Sequence, residues 1–417
     1  MASIQKDLDW TSVLLWIGLS IIGLIAIYSA TQGPVSEFLP TFIQNNFWKQ
    51  LLFVGISLGL LFGIQFFNPT IFKNFSYIAY AVSLLLMVYT LFFGQEINGA
   101  KSWLRFGGFG LQSSEFMKIT TILAAANFLT SRRNIATEQI RYALVSFLII
   151  FVPTLLVIAQ NDFGTAIIFL ALIPVILFWS GLPYGVALLM VSPAIILYLS
   201  VFSWVYGLIA VGIITAGILF LQRSKWLTIV SVIMGSATVV VVQLALTKIL
   251  QPHQVARVIA FTNPSYDPTG AGWNVIQAKT AIGSGGWTGK GFLEGTQTQL
   301  RFLPEQWTDF IFCVVGEEFG FLGASILIVV FMLFLLRLLQ LSINHKNPFA
   351  QLVTLSVAAV YFMHFFINVG SATALLPVIG IPLPFISYGG SAFIANTLML
   401  AICLNMDLYK REFSIYS

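Results

Sequence analysis

The sequence predicts an all-α polytopic integral membrane protein with about 10–12 transmembrane helices and one long extracytoplasmic loop before the last three helices. Its composition is the first observation that predicts this class. Of the 417 residues, 58% are hydrophobic and only 8% are charged, against roughly 25% charged residues in an average soluble domain. Such a chain is too apolar for a soluble enzyme or a disordered segment, so its solvent is lipid.

The second observation is a series of twelve apolar runs, each of about the length that a helix needs to cross a bilayer. They lie near residues 11–30, 48–66, 75–94, 113–131, 142–160, 163–180, 183–202, 204–221, 227–250, 309–338, 350–370 and 389–406. One transmembrane domain over residues 1–417 is the simplest organisation, with the long extracytoplasmic loop at 251–308. A connection of that length between apolar spans is usually functional.

Lys and Arg residues predict the orientation, because short cytoplasmic loops carry an excess of them. If the N-terminus is cytoplasmic, the cytoplasmic loops and tails hold Lys6, Lys73, Arg132, Arg133, Arg141, Arg223, Lys225, Arg337, Lys346, Lys410 and Arg411. The reverse orientation would place all these charges on the wrong side. Both termini are therefore predicted to be cytoplasmic.

The remaining composition excludes several partners and cofactors. A net charge of +5 spread over the chain forms no basic patch, so no nucleic acid is expected as a partner. Cys313 and Cys403 both lie in apolar runs and are interpreted as core residues. No cluster of His and Cys residues has zinc-ligand spacing, so a structural zinc site is not expected.

Charged side chains inside apolar spans are costly, which makes them candidates for function. Glu115 and Lys118 are three residues apart on the fourth span and can pair on one helix face. The pair could be a structural ion pair that holds two helices together or part of a site, and the sequence leaves both open. Asp162 could cap a helix start or face a site, and the residues alone favour the cap. His364 is interpreted as a core residue.

Three carboxylates gather near the predicted start of the tenth span. Asp309 could cap that helix or face its positive end. Glu317 and Glu318 cannot both face lipid, so at least one of them should meet a wet cavity or a cation such as Lys290 or Arg301.

The apolar run 376–385 cannot form a regular helix, because it contains three prolines and a glycine. Broken backbone at membrane depth is tolerated only where protein buries it or where it lines a wet cavity. Polar residues from Ser387 to Ser391 then stand at the start of the last span. We therefore predict that this end of the bundle forms the rim of a substrate cavity.

Six segments, in this order, resemble the SEDS glycosyltransferases, the family of shape, elongation, division and sporulation proteins. They are NGAKSWL at 98–104, QSSEFMK at 112–118, DFGTA at 162–166, NPSYDPTGAGW at 263–273, FLPEQWTDFIF at 302–312 and PLPFISYGGS at 382–391. The resemblance runs along most of the chain. The sequences GKG at 289–291 and GTQ at 295–297 are similar to the elongation, RodA-like branch rather than to the division branch.

The chain departs from the family pattern at a few positions. Ser113 and Asn161 stand where the family usually has proline, and Trp273 stands where it usually has tyrosine. The family typically has ten spans, and the two additional ones predicted here fall between 204 and 250.

The resemblance implies a peptidoglycan glycosyltransferase of the bacterial cytoplasmic membrane. Such an enzyme polymerises lipid II on the outer face, releasing undecaprenyl diphosphate, during cell-wall elongation and cell-shape maintenance. The resemblance also implies a class B penicillin-binding protein as transpeptidase partner, together with other elongation-complex membrane proteins. No cofactor is implied with a defined site; a divalent cation such as Mg²⁺ could assist at the diphosphate.

Glycosyl transfer needs a base for the attacking hydroxyl and a cation for the departing diphosphate. Asp267 supplies a carboxylate in the long loop, among basic residues of that loop. Taken alone, Asp-Pro-Thr-Gly at 267–270 is typical of a turn; with the resemblance, catalysis is the favoured role of Asp267. The residues expected to bind substrate are Glu115, Lys118, Asp162, Arg257, Lys290, Asp309, Glu317 and Ser387.

Two other classes of function fit part of the pattern. A flippase or transporter for lipid-linked sugars would use the buried charges and the broken segment as a conduction path. Against it, no inverted repeat is visible, and the densest motifs lie outside the membrane. A non-catalytic scaffold for wall synthesis would leave the buried charges unexplained.

Overall fold

The structure, a computed structural model, describes residues 8–33, 40–97, 99–106, 109–131, 139–179, 181, 183–249, 252–267, 270 and 272–410. Four of the basic residues used for the orientation, Lys6, Arg132, Arg133 and Arg411, lie outside the described residues. The side chains of Arg141 and Arg257 are outside the description as well.

Each of the twelve apolar runs contains a long helix, because lipid leaves a spanning backbone no partners except its own carbonyls. Nine of these helices precede the long connection at 251–308. They are α1 (Trp10–Gln32), α2 (Asn46–Gly63), α3 (Ser76–Phe93), α4 (Ser113–Thr130), α5 (Gln139–Ala159), α6 (Phe163–Trp179), α7 (Tyr184–Phe202), α8 (Trp204–Gln222) and α9 (Lys225–Leu244).

The connection at 251–308 is not featureless. It contains α10 (Pro252–Thr262), α11 (Trp273–Ser284) and short helical turns at Pro264–Tyr266 and Thr296–Gln299. The chain closes with α12 (Ile311–Glu318), α13 (Gly320–Asn344), α14 (Pro348–Ala372) and α15 (Gly390–Leu408).

The predicted tenth span, 309–338, is divided between α12 and α13. The break falls at Gly320, whose φ of +65° is left-handed and therefore favours glycine. A Cβ at this position would lie 2.3 Å from the Gly289 amide nitrogen. Close approach of the 285–291 backbone thus requires a glycine here.

The helices differ in how well their length and hydropathy suit a membrane. Nine helices of the described chain are long and apolar enough to cross a membrane, and α5 and α6 contain shorter apolar stretches, Leu144–Ala159 and Phe163–Phe178. Helix α4 is more polar, since it carries Glu115, Lys118 and Asn127, and most of its residues are buried. Its charges therefore meet protein rather than lipid. The all-α, multi-pass membrane class predicted from the sequence is confirmed.

The segment 95–112 forms a small antiparallel meander. Its strands are β1 (Gln95–Ile97), β2 (Ala100–Phe106) and β3 (Phe109–Gln112), in the order β1-β2-β3. The Lys101 amide also donates to the Gln160 carbonyl at 2.9 Å. This bond ties the sheet to the end of α5.

The chain forms two compact units, one comprising Met1–Ile173 and Gln277–Ser417, the other Pro174–Ile276. In the first unit α15 and α14 are interior helices, as α4 is: 83% and 61% of the apolar windows of α15 and α14 are buried, against 17% for α3. In the second unit α7, α8 and α9 pack around an apolar cluster that includes Ile196, Val211 and Ile218. The predicted organisation as one transmembrane domain over 1–417 stays a prediction.

Candidate functional site

The chain between α14 and α15, residues 376–388, is irregular, as its prolines predict. We call it the broken segment. Three polar side chains on one face of α14, at positions i, i+4 and i+7, hold its backbone. His364 Nδ1 lies 3.0 Å from the carbonyl oxygen of Pro382, Asn368 donates to that of Ile381 at 2.8 Å, and Ser371 donates to that of Pro377 at 3.0 Å.

Aromatic packing anchors the same segment from the apolar side. The ring of Phe385 makes T-shaped contacts with Phe334, Tyr361 and Phe393, at centroid distances of 5.5, 5.3 and 6.0 Å. Each such pair contributes about 0.5–1.5 kcal/mol beyond its buried area. The broken segment is therefore fixed at both its polar and its apolar surfaces.

The broken segment is also tied to the chain just before α12. Ser387 Oγ donates to the Thr308 carbonyl at 2.6 Å and accepts from the Leu383 amide at 2.9 Å. Asn368 donates to the Asp309 carbonyl at 3.1 Å. Ser387, predicted to bind substrate, thus uses its hydroxyl as both a donor and an acceptor, and these two bonds hold the segment in place.

Glu115, Lys118 and His364 form a buried polar row beside the broken segment. Lys118 Nζ lies 2.9 Å from each Glu115 oxygen and 3.0 Å from His364 Nε2. The exposed fractions of Glu115, Lys118 and His364 are 2%, 0% and 2%. The predicted pairing of Glu115 with Lys118 is therefore present, with a third member that the sequence interpretation assigned to the core.

Apolar side chains of α4, α14 and α15 line a small cavity whose residues on α4 begin directly after Lys118. A cavity of only about 10 Å³ is enclosed there by Ile119, Ile122, Leu123, Val353, Val357, Met399 and Ile402. A volume of this size holds at most one water molecule. This cavity is therefore too small for a substrate.

Asp162 caps the start of α6. Its Oδ1 accepts from the Thr165 amide at 3.1 Å, and its Oδ2 accepts from the Thr165 hydroxyl at 3.0 Å and from Gln112 Nε2 at 2.8 Å. The cap favoured by the sequence is therefore observed. A Cβ on Gly164 would lie 3.2 Å from the Ile379 carbonyl oxygen, so this helix start approaches the broken segment closely.

Asp309 lies in the turn before α12, outside the helices long enough to span a membrane, and is partly buried. Burial, followed by repulsion from the Glu305 carboxylate, raises its pKa to about 6. Asp309 does not cap α12, contrary to one sequence expectation: the capping position is Phe310, and no side chain there bonds the helix start. Its Oδ2 instead lies 3.4 Å from the position of a Cβ on Gly380, within the broken segment.

Glu317 is the carboxylate that meets a cation. Its Oε1 lies 2.7 Å from Lys290 Nζ and accepts from the Gln297 amide at 2.8 Å, and its Oε2 accepts from the Thr298 amide at 2.9 Å. Burial alone would raise the pKa of Glu317, but these hydrogen bonds outweigh burial and hold the pKa below its usual value. The predicted cation partner of this acidic pair is thus Lys290.

The neighbouring Glu318 is buried among neutral donors. Its Oε1 accepts hydrogen bonds from the Ser29 hydroxyl and, at 2.8 Å, from Gln299 Nε2. Arg301, the alternative cation, donates to the Ala30 carbonyl at 3.1 Å and lies over the Trp307 ring. Burial lowers the pKa of Arg301 to about 10.

Asp267 and Arg257 belong to the second unit. Asp267 Oδ1 accepts from the Gly270 amide at 3.0 Å, and the Asp267 carbonyl accepts from the Gly272 amide at 3.0 Å. A Cβ on Gly270 would lie 2.2 Å from Asp267 Oδ2, and one on Gly272 would lie 2.2 Å from the Pro264 carbonyl oxygen. These contacts bring Gly270 and Gly272 against Asp267; Pro268, Thr269 and Ala271, the other residues of the expected turn, lie outside the described residues. Arg257 lies on α10.

His364, Asn368 and Ser371 are the site residues that sequence reasoning missed. Each looks unremarkable alone in an apolar helix. Together they recur at helical spacing immediately before a proline-interrupted segment that needs partners for its carbonyls. That combination of spacing and position is the sequence signal that could have identified these three residues.

These features define a polytopic membrane protein with a buried polar site beside the broken segment that connects α14 and α15. A sequence model described as "Cell cycle protein", covering FtsW, RodA and SpoVE, matches residues 9–210 and 205–412. The chain belongs to this family.

Two curated relatives match nearly the whole chain. Peptidoglycan glycosyltransferase RodA of Treponema pallidum is 32% identical, with 98% of each chain covered. Peptidoglycan glycosyltransferase MrdB of Escherichia coli K12 is 30% identical, with 98% of this chain and 96% of the relative covered.

Solved structures share the fold. One chain, from a study of how a peptidoglycan synthase complex coordinates polymerization and crosslinking, is 26% identical, with a TM-score of 0.71 over 97% of this chain and 98% of that one. Rod shape determining protein RodA of Thermus thermophilus has a TM-score of 0.63 at 24% identity, over 97% of each chain. At that identity the second likeness concerns the fold alone.

Proposed function

We propose that the protein is a peptidoglycan glycosyltransferase that polymerises lipid II into glycan strands and releases undecaprenyl diphosphate, in cell-wall elongation and cell-shape maintenance. The observation that carries this proposal is the similarity over 98% of the chain to relatives named peptidoglycan glycosyltransferases. Buried charges beside the broken segment are costly in a chain embedded in lipid, which supports a functional role for this site.

In this proposal Asp267 is the general base that takes the proton of the attacking sugar hydroxyl. An ionised carboxylate can accept that proton as the hydroxyl becomes nucleophilic. The bond from the Gly270 amide, at 3.0 Å, and the glycines of the turn hold the carboxylate in one orientation. A fixed base loses less conformational freedom when the reaction begins.

The departing diphosphate needs positive charge, and Lys290 is the best-defined source among the side chains described. Its ammonium is held by Glu317 at 2.7 Å and by Thr296 Oγ at 2.6 Å, with 25% of the side chain exposed. An ammonium has three N–H donors, so Lys290 can keep both contacts and still face an anion. Arg257, Lys118 and Asp309 complete the proposed substrate contacts, with Glu115, Asp162, Glu317 and Ser387 supporting them.

A divalent cation such as Mg²⁺ could also assist at the diphosphate. Within the described part of the chain, no group of three or more His, Cys, Asp or Glu side chains is placed to hold a metal ion.

We place the protein in the bacterial cytoplasmic membrane with both termini in the cytoplasm, on the strength of the Lys and Arg distribution. A class B penicillin-binding protein is the proposed transpeptidase partner, with other elongation-complex membrane proteins. The structural relative from a peptidoglycan synthase complex supports this partnership.

Polymerisation of purified lipid II by the purified protein, alone and with its partner and without nucleotide, tests the function. Glycan chains would support the enzyme. Movement of lipid II across vesicles without chain formation would support a flippase instead. The absence of both activities would favour a scaffold.

A further inference from the structure

We propose that His364 is a positioning residue of the candidate site: it fixes the Lys118 ammonium relative to the broken segment. The inference rests on the proposed function, because it concerns how the site presents a cation to lipid II. It assigns to His364 a role toward Lys118 that its position in an apolar helix does not indicate.

The hydrogen-bond geometry permits one arrangement of protons on this ring. A lysine ammonium can only donate, so His364 Nε2, 3.0 Å from Lys118 Nζ, must be the unprotonated acceptor. The proton then resides on Nδ1, which lies 3.0 Å from the Pro382 carbonyl oxygen. The imidazole is therefore neutral, with a donor on one side and an acceptor on the other.

This arrangement gives Lys118 a contact outside its own helix. Glu115, its other partner, lies one turn away on α4 and moves with it. A lysine side chain has up to about 2 kcal/mol of rotamer entropy to lose when it is fixed. His364, on α14, adds the second fixed point that selects one direction for the ammonium.

The same ring couples that direction to the broken segment. His364 holds the carbonyl of Pro382 while Asn368, one turn further along α14, holds the carbonyl of Ile381. A displacement of this backbone would move the imidazole, and with it the acceptor of the Lys118 proton. Ring orientation by a distal hydrogen bond is the principle by which second partners tune histidines at metal sites.

If His364 were purely structural and only satisfied the buried Pro382 carbonyl, the effect of replacing it would not depend on Lys118. The two roles are separated by a double-mutant cycle between His364→Leu and Lys118→Met. His364→Gln is the conservative variant, since an amide has one acceptor and one donor end. Ser356→Ala is the matched control on α14, where a buried hydroxyl donates to the Leu352 carbonyl of its own helix at 2.7 Å.

The cycle is measured in the thermal unfolding midpoint of the purified protein, and the single variants of His364 and Ser356 are also measured in the initial rate of lipid II polymerisation. We expect His364→Leu to lose roughly 10- to 100-fold in rate, the range expected when a hydrogen bond to a charged group is removed, and His364→Gln to stay within about 3-fold of the parent. In the Lys118→Met background, His364→Leu should lower the unfolding midpoint far less than in the parent. Ser356→Ala should match the parent in rate.

Equal shifts of the midpoint in both backgrounds, or a His364→Gln protein as inactive as His364→Leu, would overturn the positioning role. If His364→Leu does not fold, His364→Asn, whose shorter side chain cannot span Lys118 and Pro382, replaces it in the cycle. A parent protein that makes no glycan would overturn the proposed function, and the inference with it. A working parent with an uncoupled cycle would overturn the inference alone.

Discussion

Lys118 is bonded to Glu115 on its own helix, with Nζ 2.9 Å from the carboxylate oxygens and both side chains buried. An ion pair within one helix cannot hold two helices together, which was the structural alternative left open by the sequence. The contact that does reach another helix is the one from Lys118 to His364. The link between the two helices therefore runs through His364 and not through the pair itself.

The first prediction concerns this pair. Glu115→Ala and Lys118→Ala should each destabilise the protein by roughly 3–5 kcal/mol, because each leaves an uncompensated buried charge, and each should abolish polymerisation. The measurements are thermal unfolding in detergent and glycan synthesis from lipid II. The double variant should regain stability. Restored activity in that variant would show a structural pair, whereas continued inactivity of a folded double variant places at least one member in the site.

The second prediction concerns the proposed base. Asp267→Asn keeps the shape of the side chain and removes the basicity, so polymerisation should fall by a factor of roughly 10²–10⁴ while the protein stays folded and still binds the proposed penicillin-binding partner. Asp267→Glu should keep at most partial activity, because its extra methylene displaces the oxygen. A rate for Asp267→Asn near that of the parent would move attention to Asp162 and Asp309.

The third prediction concerns the hydrogen bonds between Glu317 and residues 290–298. Glu317→Gln removes the negative charge that accepts from Lys290 and from the Gln297 and Thr298 amides, each charge-assisted bond being worth about 1.5–3 kcal/mol. Amide hydrogen exchange of residues 290–299 should accelerate by at least about tenfold. Glu294→Gln, at an exposed position of the same segment, is the control and should leave the exchange unchanged.

The fourth prediction is a pH dependence of stability. In the folded protein the pKa of Asp309 is about 6, above its usual value of 3.8, so the folded state binds this proton more tightly. The stability contributed by the protonated form is complete below pH 3.8 and is lost as the pH rises through about 6. Asp309→Asn remains neutral throughout. Its unfolding midpoint, relative to that of the parent, should therefore rise between these two pH values and then level off; a constant difference would contradict the assignment.

The fifth prediction concerns orientation. Cysteines at Ser265 and Asn344, both exposed positions, are introduced after Cys313 and Cys403, both buried, are replaced by alanine. An impermeant thiol reagent added to intact cells should label Ser265→Cys and spare Asn344→Cys until the membrane is opened. The reverse pattern would invert the proposed topology.

Local patterns account for what could be predicted. The i, i+3 spacing of Glu115 and Lys118 predicted their contact because helix geometry alone brings such positions together. The cap at Asp162 and the interruption at 376–385 follow equally from neighbouring residues, and both are observed. The cap proposed for Asp309 is wrong because α12 begins one residue later, beyond Phe310.

Distant contacts account for what could not. His364 meets Lys118 across 246 residues of sequence, and no periodicity links the two. In the same way, the sequence required a partner for Glu317 or Glu318, but only the fold decided that Lys290 meets Glu317 and that Glu318 lies among neutral donors.

The sequence by itself determined the solvent, the helices and the family, because hydrophobic run length, proline placement and ordered motifs are properties of consecutive residues. The tertiary structure decided which polar groups share the interior of the first unit. In a medium without water each buried charge and carbonyl needs a partner. Helices from opposite ends of the chain supply those partners only once they pack together.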